Sequence, residues 1–230
     1  MKKTEIYANN WEKDSTEIKK ENLYDWMELQ IQNYKNILEI GCGCGNSTLE
    51  LLNKQHNVTI IESNNVCINK TRKLLSDNNY LGINIINKKF SEINFKKVVP
   101  FLENKLDLII CWNPGGAIFD NSDELAEKVY ELSILGYPNV EDKLEVFYAE
   151  DIIRGALKLG NFLGIDVHLI DRASINEGNI DYLKEIAEEY NYKDIIYEEK
   201  IGKSNVNTMK VDKLIKYQSI IFRYNKKIID

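Results

Sequence analysis

Three glycines at alternate positions, Gly41, Gly43 and Gly45, break an apolar run in the stretch Asn36 to Thr48, which reads N-I-L-E-I-G-C-G-C-G-N-S-T. Glycine permits a sharp strand-to-helix turn and lets a ligand lie against bare backbone, where any Cβ would intrude. Ile37, Leu38 and Ile40 suit a buried strand. Asn46, Ser47 or Thr48 suits the cap of a helix that Leu49, Leu51 and Leu52 continue. A second apolar run, Val58 to Ile61, ends in Glu62, seventeen residues after Gly45. A carboxylate there can accept hydrogen bonds from both hydroxyls of a ribose lying across the first loop, so the two signals together point to a nucleotide-type ligand.

The spacing inside the loop separates the possible ligands. A dinucleotide fingerprint, G-x-G-x-x-G/A, would need Gly or Ala at position 46, where this chain has Asn46. The pattern from Glu39 to Gly45 is E-x-G-x-G-x-G, and it resembles the first motif of the class I S-adenosylmethionine-dependent methyltransferases. Glu62 stands where that family has its ribose-binding acid. The resemblance implies S-adenosyl-L-methionine as cofactor. Glu39 would then orient its methionine amino group, Gly41, Gly43 and Gly45 would admit its methionine and ribose parts, and Cys42 and Ser63 would line the two loops. The third motif departs from the family: aligning Ile85 to Glu92 puts Lys89 where an acid commonly accepts the adenine amino hydrogen, which a charged lysine cannot do. Adenine contacts are expected instead from the Phe90 backbone and apolar neighbours, or from Ser91 or Glu92.

Asn113-Pro114-Gly115-Gly116 partly resembles the Asn/Asp-Pro-Pro-aromatic motif of amino-methylating enzymes, without its second proline and aromatic. A plain turn is the competing reading. On the resemblance, Asn113 is a candidate for catalysis and for cofactor contact, and Trp112, Gly115 and Gly116 are candidates for the acceptor site. Asp171, after the fifth strand, is a candidate base, with Asp120 and Asp123 also in reach, and Arg172 is a candidate for binding a substrate carboxylate. His168 lies within an apolar strand and reads as a packed core residue.

These residues need a scaffold of alternating strands and helices. An N-terminal helix is expected from a cap at Ser15 or Thr16 to about Gln30. Cys67, Thr71, Leu74 and Leu75 give the stripe of a crossover helix. Ile83 to Ile86 and Leu106 to Cys111 supply the third and fourth strands. Leu144, Tyr148, Ile152 and Leu159 mark a helix ended by Gly160, Phe162 to Ile170 a fifth strand, and Ile180, Leu183, Ala187 and Tyr190 another helix. Asp194 to Ile201 and Lys216 to Arg223, with no helix-length pattern between them, should form an antiparallel hairpin. The order implies an α/β, Rossmann-like three-layer sandwich with a seven-stranded, mostly parallel sheet, in a single domain over 1–230 with a helical segment at 1–35. The segment 117–142 interrupts the fourth unit and is expected to form a lid, with Tyr130 and Tyr137 facing the acceptor.

Composition narrows the partners. The 230 residues carry 30 basic and 36 acidic side chains, a net charge of −6, which gives no long-range attraction to phosphate backbones and disfavours nucleic acid. No apolar run is long enough for a membrane span and the start lacks a signal-peptide core, so a cytoplasmic protein is expected. The four cysteines and two histidines lack metal-ligand spacing, and no metal is expected. Small-molecule methyl transfer to nitrogen or oxygen is the leading reading. Aminocarboxypropyl or aminopropyl transfer, or amino-group methylation of a protein or nucleic acid, are the alternatives. A nicotinamide-dependent oxidoreductase or a nucleotide-sensing module ranks below them, and oligomeric state is not encoded.

Overall fold

Strands β1 (Asn36–Ile40) and β4 (Leu108–Trp112) are apolar without alternation because both of their faces are covered, and almost every one of their residues is buried. They lie at the centre of a seven-stranded sheet of order β3-β2-β1-β4-β5-β7-β6. Strands β2 (Asn57–Glu62), β3 (Asn84–Asn87) and β5 (Asp166–Ser174) extend it in parallel. β6 (Tyr192–Ser204) and β7 (Lys213–Tyr224) close it as an antiparallel hairpin against β5. The computed structural model describes residues 3–93, 106–113, 140–174, 180–204 and 213–224. Candidates Gly115, Gly116, Tyr130 and Tyr137, the acids Asp120 and Asp123, and the lid segment up to residue 139 lie outside the described residues.

Helices cover both faces. Helices α1 (Lys3–Lys20), α2 (Leu23–Leu29), α3 (Asn46–Asn53) and α4 (Asn65–Asp77) pack on one side, where Ile18, Leu23, Met27, Leu51 and Leu75 meet Ile37, Ile60 and Ile110. On the other side α5 (Val140–Leu163) and α6 (Asp181–Glu189) bring Leu157, Leu159, Leu183 and Ile186 against Leu38, Ile109 and Leu169. Each such side chain fully buried contributes about 1.5–3 kcal/mol. The stripe Cys67, Thr71, Leu75 is buried as its spacing implies.

Two boundaries differ from the sequence expectation. Ser15 and Thr16 do not cap a helix; their hydroxyls donate back to the carbonyl of Glu12, at 3.2 and 2.7 Å, inside a helix that began twelve residues earlier. The chain breaks instead at Asn22, whose φ of 53° turns it into α2. Gly160 does not end α5. It lies within the helix, where a Cβ would meet the Tyr192 hydroxyl at 2.2 Å, so it is there for close packing. The terminator is Gly164, at φ 68°, with the Ile165 N–H returning to the Gly160 carbonyl at 3.0 Å. The fifth strand therefore starts at Asp166, and Phe162, apolar but 61% exposed, belongs to the helix.

Candidate active site

Strand order reverses between β1 and β4, and in open α/β sheets the crevice beyond the carboxyl ends at that point holds ligands. The three glycines sit there with different neighbours. All have positive φ (77°, 53° and 89°). Among the described residues a Cβ on Gly41 would meet nothing within 4 Å, so this glycine leaves the floor of the crevice bare. A Cβ on Gly43 would lie 1.9 Å from Nε1 of Trp11, and one on Gly45 would lie 2.9 Å from Cγ2 of Thr71. Only Gly41 faces open space; Gly43 admits an indole from α1, and Gly45 admits helix α4.

Two carboxylates flank the loop in contrasting roles. Glu62 closes β2 and accepts from the backbone N–H of Gly43 at 3.1 Å, Ser63 at 2.8 Å and Asn64 at 2.9 Å. It is partly exposed, and burial raises its pKa while the three N–H donors pull it back. A carboxylate offers about four acceptor positions, so one remains for a ligand hydroxyl. Glu39 is buried, its oxygens held by the hydroxyls of Ser47 at 2.5 Å and Thr48 at 2.6 Å. Burial pushes its pKa up to about 7, against those two donors. Glu39 thus braces the first turn of α3 beneath the loop.

Helix α1 runs over the top of this loop. The Ala8 carbonyl accepts the Cys44 thiol at 3.3 Å, the Thr4 carbonyl accepts Asn64 Nδ2 at 3.1 Å, and Ser15 Oγ accepts Asn46 Nδ2 at 2.8 Å. Glu12 pairs with Lys70 of α4 at 2.6 Å. The guanidinium carbon of Arg172, on β5, stands 5.2 Å from the centroid of the Trp11 ring. Trp11 therefore stands between the glycine loop and the end of β5. Sequence reasoning missed Trp11, although Ala8, Trp11, Ser15 and Ile18 recur at i, i+3, i+7 and i+10, a stripe that marks one helical face.

At the end of β4, Asn113 has φ 55° and is 8% exposed, and among the described residues neither polar atom of its side-chain amide has a partner. Its N–H donates to the Ile170 carbonyl at 2.7 Å, which continues the β4–β5 register and sets it beside Asp171. Asp171 accepts from the N–H of Arg172 at 2.8 Å, and burial raises its carboxyl pKa. Trp112, expected as a wall for the acceptor, is a core residue instead. It stacks on Tyr24 with centroids 6.4 Å apart and donates to His168 Nδ1 at 3.1 Å. His168 is fully buried, and burial lowers its pKa to about 3; with Nδ1 accepting, Nε2–H donates to Ser219 at 2.9 Å. Cys42 is buried and directs its thiol to Thr71, so only its backbone is available to the crevice. The Phe90 ring packs against Gly155 of α5, and Ser63 is exposed.

Residues 37–132 match a family model described as a methyltransferase domain. Among solved structures, the putative RNA methyltransferase PH1948 from Pyrococcus horikoshii is similar at TM-score 0.58 and 11% identity, over 88% of this chain and 83% of that one. The METTL16 MTase domain gives 0.54 and 14%, over 89% and 67%. EvdMO1 gives 0.52 and 11% over 87% of this chain, which spans only 40% of the EvdMO1 chain; the N-terminal domain of that protein has been solved with SAH bound. No curated protein sequence matches the chain. The structural likenesses establish the fold. The match over residues 37–132 on that fold supports a methyltransferase domain that uses S-adenosylmethionine.

Proposed function

We propose that the enzyme transfers a methyl group to nitrogen or oxygen of a small-molecule acceptor. The observation that carries this reading is Asn113: a buried amide with neither polar atom partnered among the described residues, on a left-handed backbone at the carboxyl end of β4. Unpaired buried polar groups and strained backbone are costly and persist where a ligand uses them. Covering of the crevice by α1 favours a small acceptor over a polymer, as does the net charge of −6.

The residues fit the cofactor. Gly41 leaves the crevice floor bare, and Glu62 keeps an acceptor position for a ribose hydroxyl. When bound, S-adenosylmethionine supplies an already activated methyl group, so alignment of the acceptor provides much of the rate. Asn113 would position the nucleophile by accepting its hydrogen. Asp171, with a raised pKa beside Asn113, would take the proton released as the new bond to carbon forms.

Incubation with S-adenosylmethionine labelled either in its methyl or in its carboxyl group, with a small-molecule extract or with protein and RNA fractions, tests this. Methyl label in products of low mass is expected. Carboxyl label in the product would mean aminocarboxypropyl transfer, and methyl label confined to RNA or protein would overturn the small-acceptor reading.

A further inference from the structure

The glycine loop is held from α4 by a side chain that is itself sealed from solvent. Thr71 lies on the stripe that begins at Cys67 and is fully buried. Its Oγ1 donates to the Gly43 carbonyl at 2.9 Å. A hydroxyl has one proton, so in its contact with Cys42 Sγ at 3.5 Å the thiol is the donor. The same residue meets the third glycine: a Cβ on Gly45 would lie 2.9 Å from Thr71 Cγ2 and 3.0 Å from its Cα. Thr71 therefore seats α4 against Cys42, Gly43 and Gly45 at once, and with no exposed surface it touches no ligand directly.

Gly43 is hydrogen-bonded on both sides of its Cα. Its carbonyl accepts from Thr71, while its N–H donates to Glu62 Oε2 at 3.1 Å. Glu62 Oε1 accepts from the N–H groups of Ser63 and Asn64 at 2.8 and 2.9 Å, which fill its two lone-pair positions. Oε2 keeps one position, the one a ribose hydroxyl would use. Where that position points depends on the Gly43 N–H, and a glycine at φ 53° has little steric restraint of its own. The Thr71 hydroxyl supplies the restraint. We propose that Thr71 is a positioning residue for cofactor binding, acting through the Gly43 backbone on the free acceptor position of Glu62. The proposal rests on the reading of Glu62 as the ribose acid.

Calorimetric titration of S-adenosylhomocysteine into a double-mutant cycle tests it. The proteins are the wild type, Thr71→Val, Glu62→Ala and the double variant, with thermal unfolding confirming the fold of each. Thr71→Ser keeps the hydroxyl, and Thr71→Ala removes it with less bulk should valine not fit beside Gly45. Thr71→Val should bind S-adenosylhomocysteine about 3- to 10-fold more weakly, as the loss of one neutral hydrogen bond implies, and Thr71→Ser should bind as the wild type does. In the Glu62→Ala background the loss from Thr71→Val should vanish, because no Oε2 remains to be aimed. A loss of equal size with and without Glu62, a loss that Thr71→Ser shares, or no loss in either hydroxyl-free variant overturns the relay and leaves the ribose reading intact. Equal affinity in Glu62→Ala and the wild type removes the ribose reading and the relay together. Failure of the wild type to bind the probe undoes the cofactor reading as well.

Discussion

Replacing Glu39 by glutamine should change how stability depends on pH. The wild-type carboxyl lies in a buried pocket at 2% exposure, and its pKa rises from the ordinary 4.5 to about 7, with burial as the main cause, the Ser47 and Thr48 hydroxyls opposing it and Glu62 adding to it. The folded protein therefore keeps a proton that the unfolded chain releases from pH 4.5 upward. Stability from this group is fully present below pH 4.5, falls as pH rises, and is lost above about 7. At about 1.4 kcal/mol per pH unit, the loss totals roughly 3 kcal/mol. The amide of Glu39→Gln would be uncharged throughout and can still accept from one hydroxyl and donate to the other. Urea unfolding of both proteins from pH 4.5 to 8 should show the variant gaining on the wild type by roughly 3 kcal/mol across that range, about 6–12 °C in midpoint temperature. A cationic ligand bound close by favours the charged form, so S-adenosylmethionine should also bind the wild type more tightly as pH rises through 7, and Glu39→Gln should lack that dependence. Parallel stability curves would show that Glu39 titrates as a solvated acid and would refute its role as a buried brace.

Gly43→Ala should destabilise the fold by more than the roughly 1–2 kcal/mol that positive φ costs an L residue, because its Cβ meets Trp11 at 1.9 Å. Adding Trp11→Ala should recover the excess in chemical unfolding; simple additivity would show that the indole is elsewhere in solution. Asn113→Gly removes an unsatisfied amide and relieves the left-handed backbone, so it should hold or raise stability by about 1–2 kcal/mol while turnover falls at unchanged cofactor affinity. Full turnover in that variant would return Asn113 to a turn residue. Gly164→Ala should cost about 1 kcal/mol by thermal unfolding, since φ 68° ends α5; no loss would place the helix end elsewhere.

Local signals were legible and spatial ones were not. The sheet could be read because β1 and β4 are unbroken apolar runs, Glu62 follows a second one, and the absence of a helical pattern between β6 and β7 forces a hairpin. Glycine spacing disclosed the ligand crevice but not what each glycine faces: that Gly43 receives Trp11 depends on the path of α1, thirty residues earlier. Asp14-Ser15-Thr16 has the composition of a helix cap, and only tertiary packing makes it the middle of a helix. Trp112 looked like a site aromatic from its place before Asn113, yet side chains alternate along a strand, and its neighbours Tyr24 and His168 claim it for the core. His168 was readable as core because its strand is apolar throughout.

If the crevice beyond β1 and β4 takes S-adenosylmethionine, Glu62 is the residue placed to hold its ribose. Calorimetric titration of S-adenosylhomocysteine into the wild type and Glu62→Ala tests it most directly. One site per chain is expected in the wild type, with about 10- to 100-fold weaker binding in the variant, as for hydrogen bonds to a charged group. Equal affinity in a correctly folded Glu62→Ala, or wild-type protein that ignores S-adenosylhomocysteine and binds a nicotinamide dinucleotide, would contradict it.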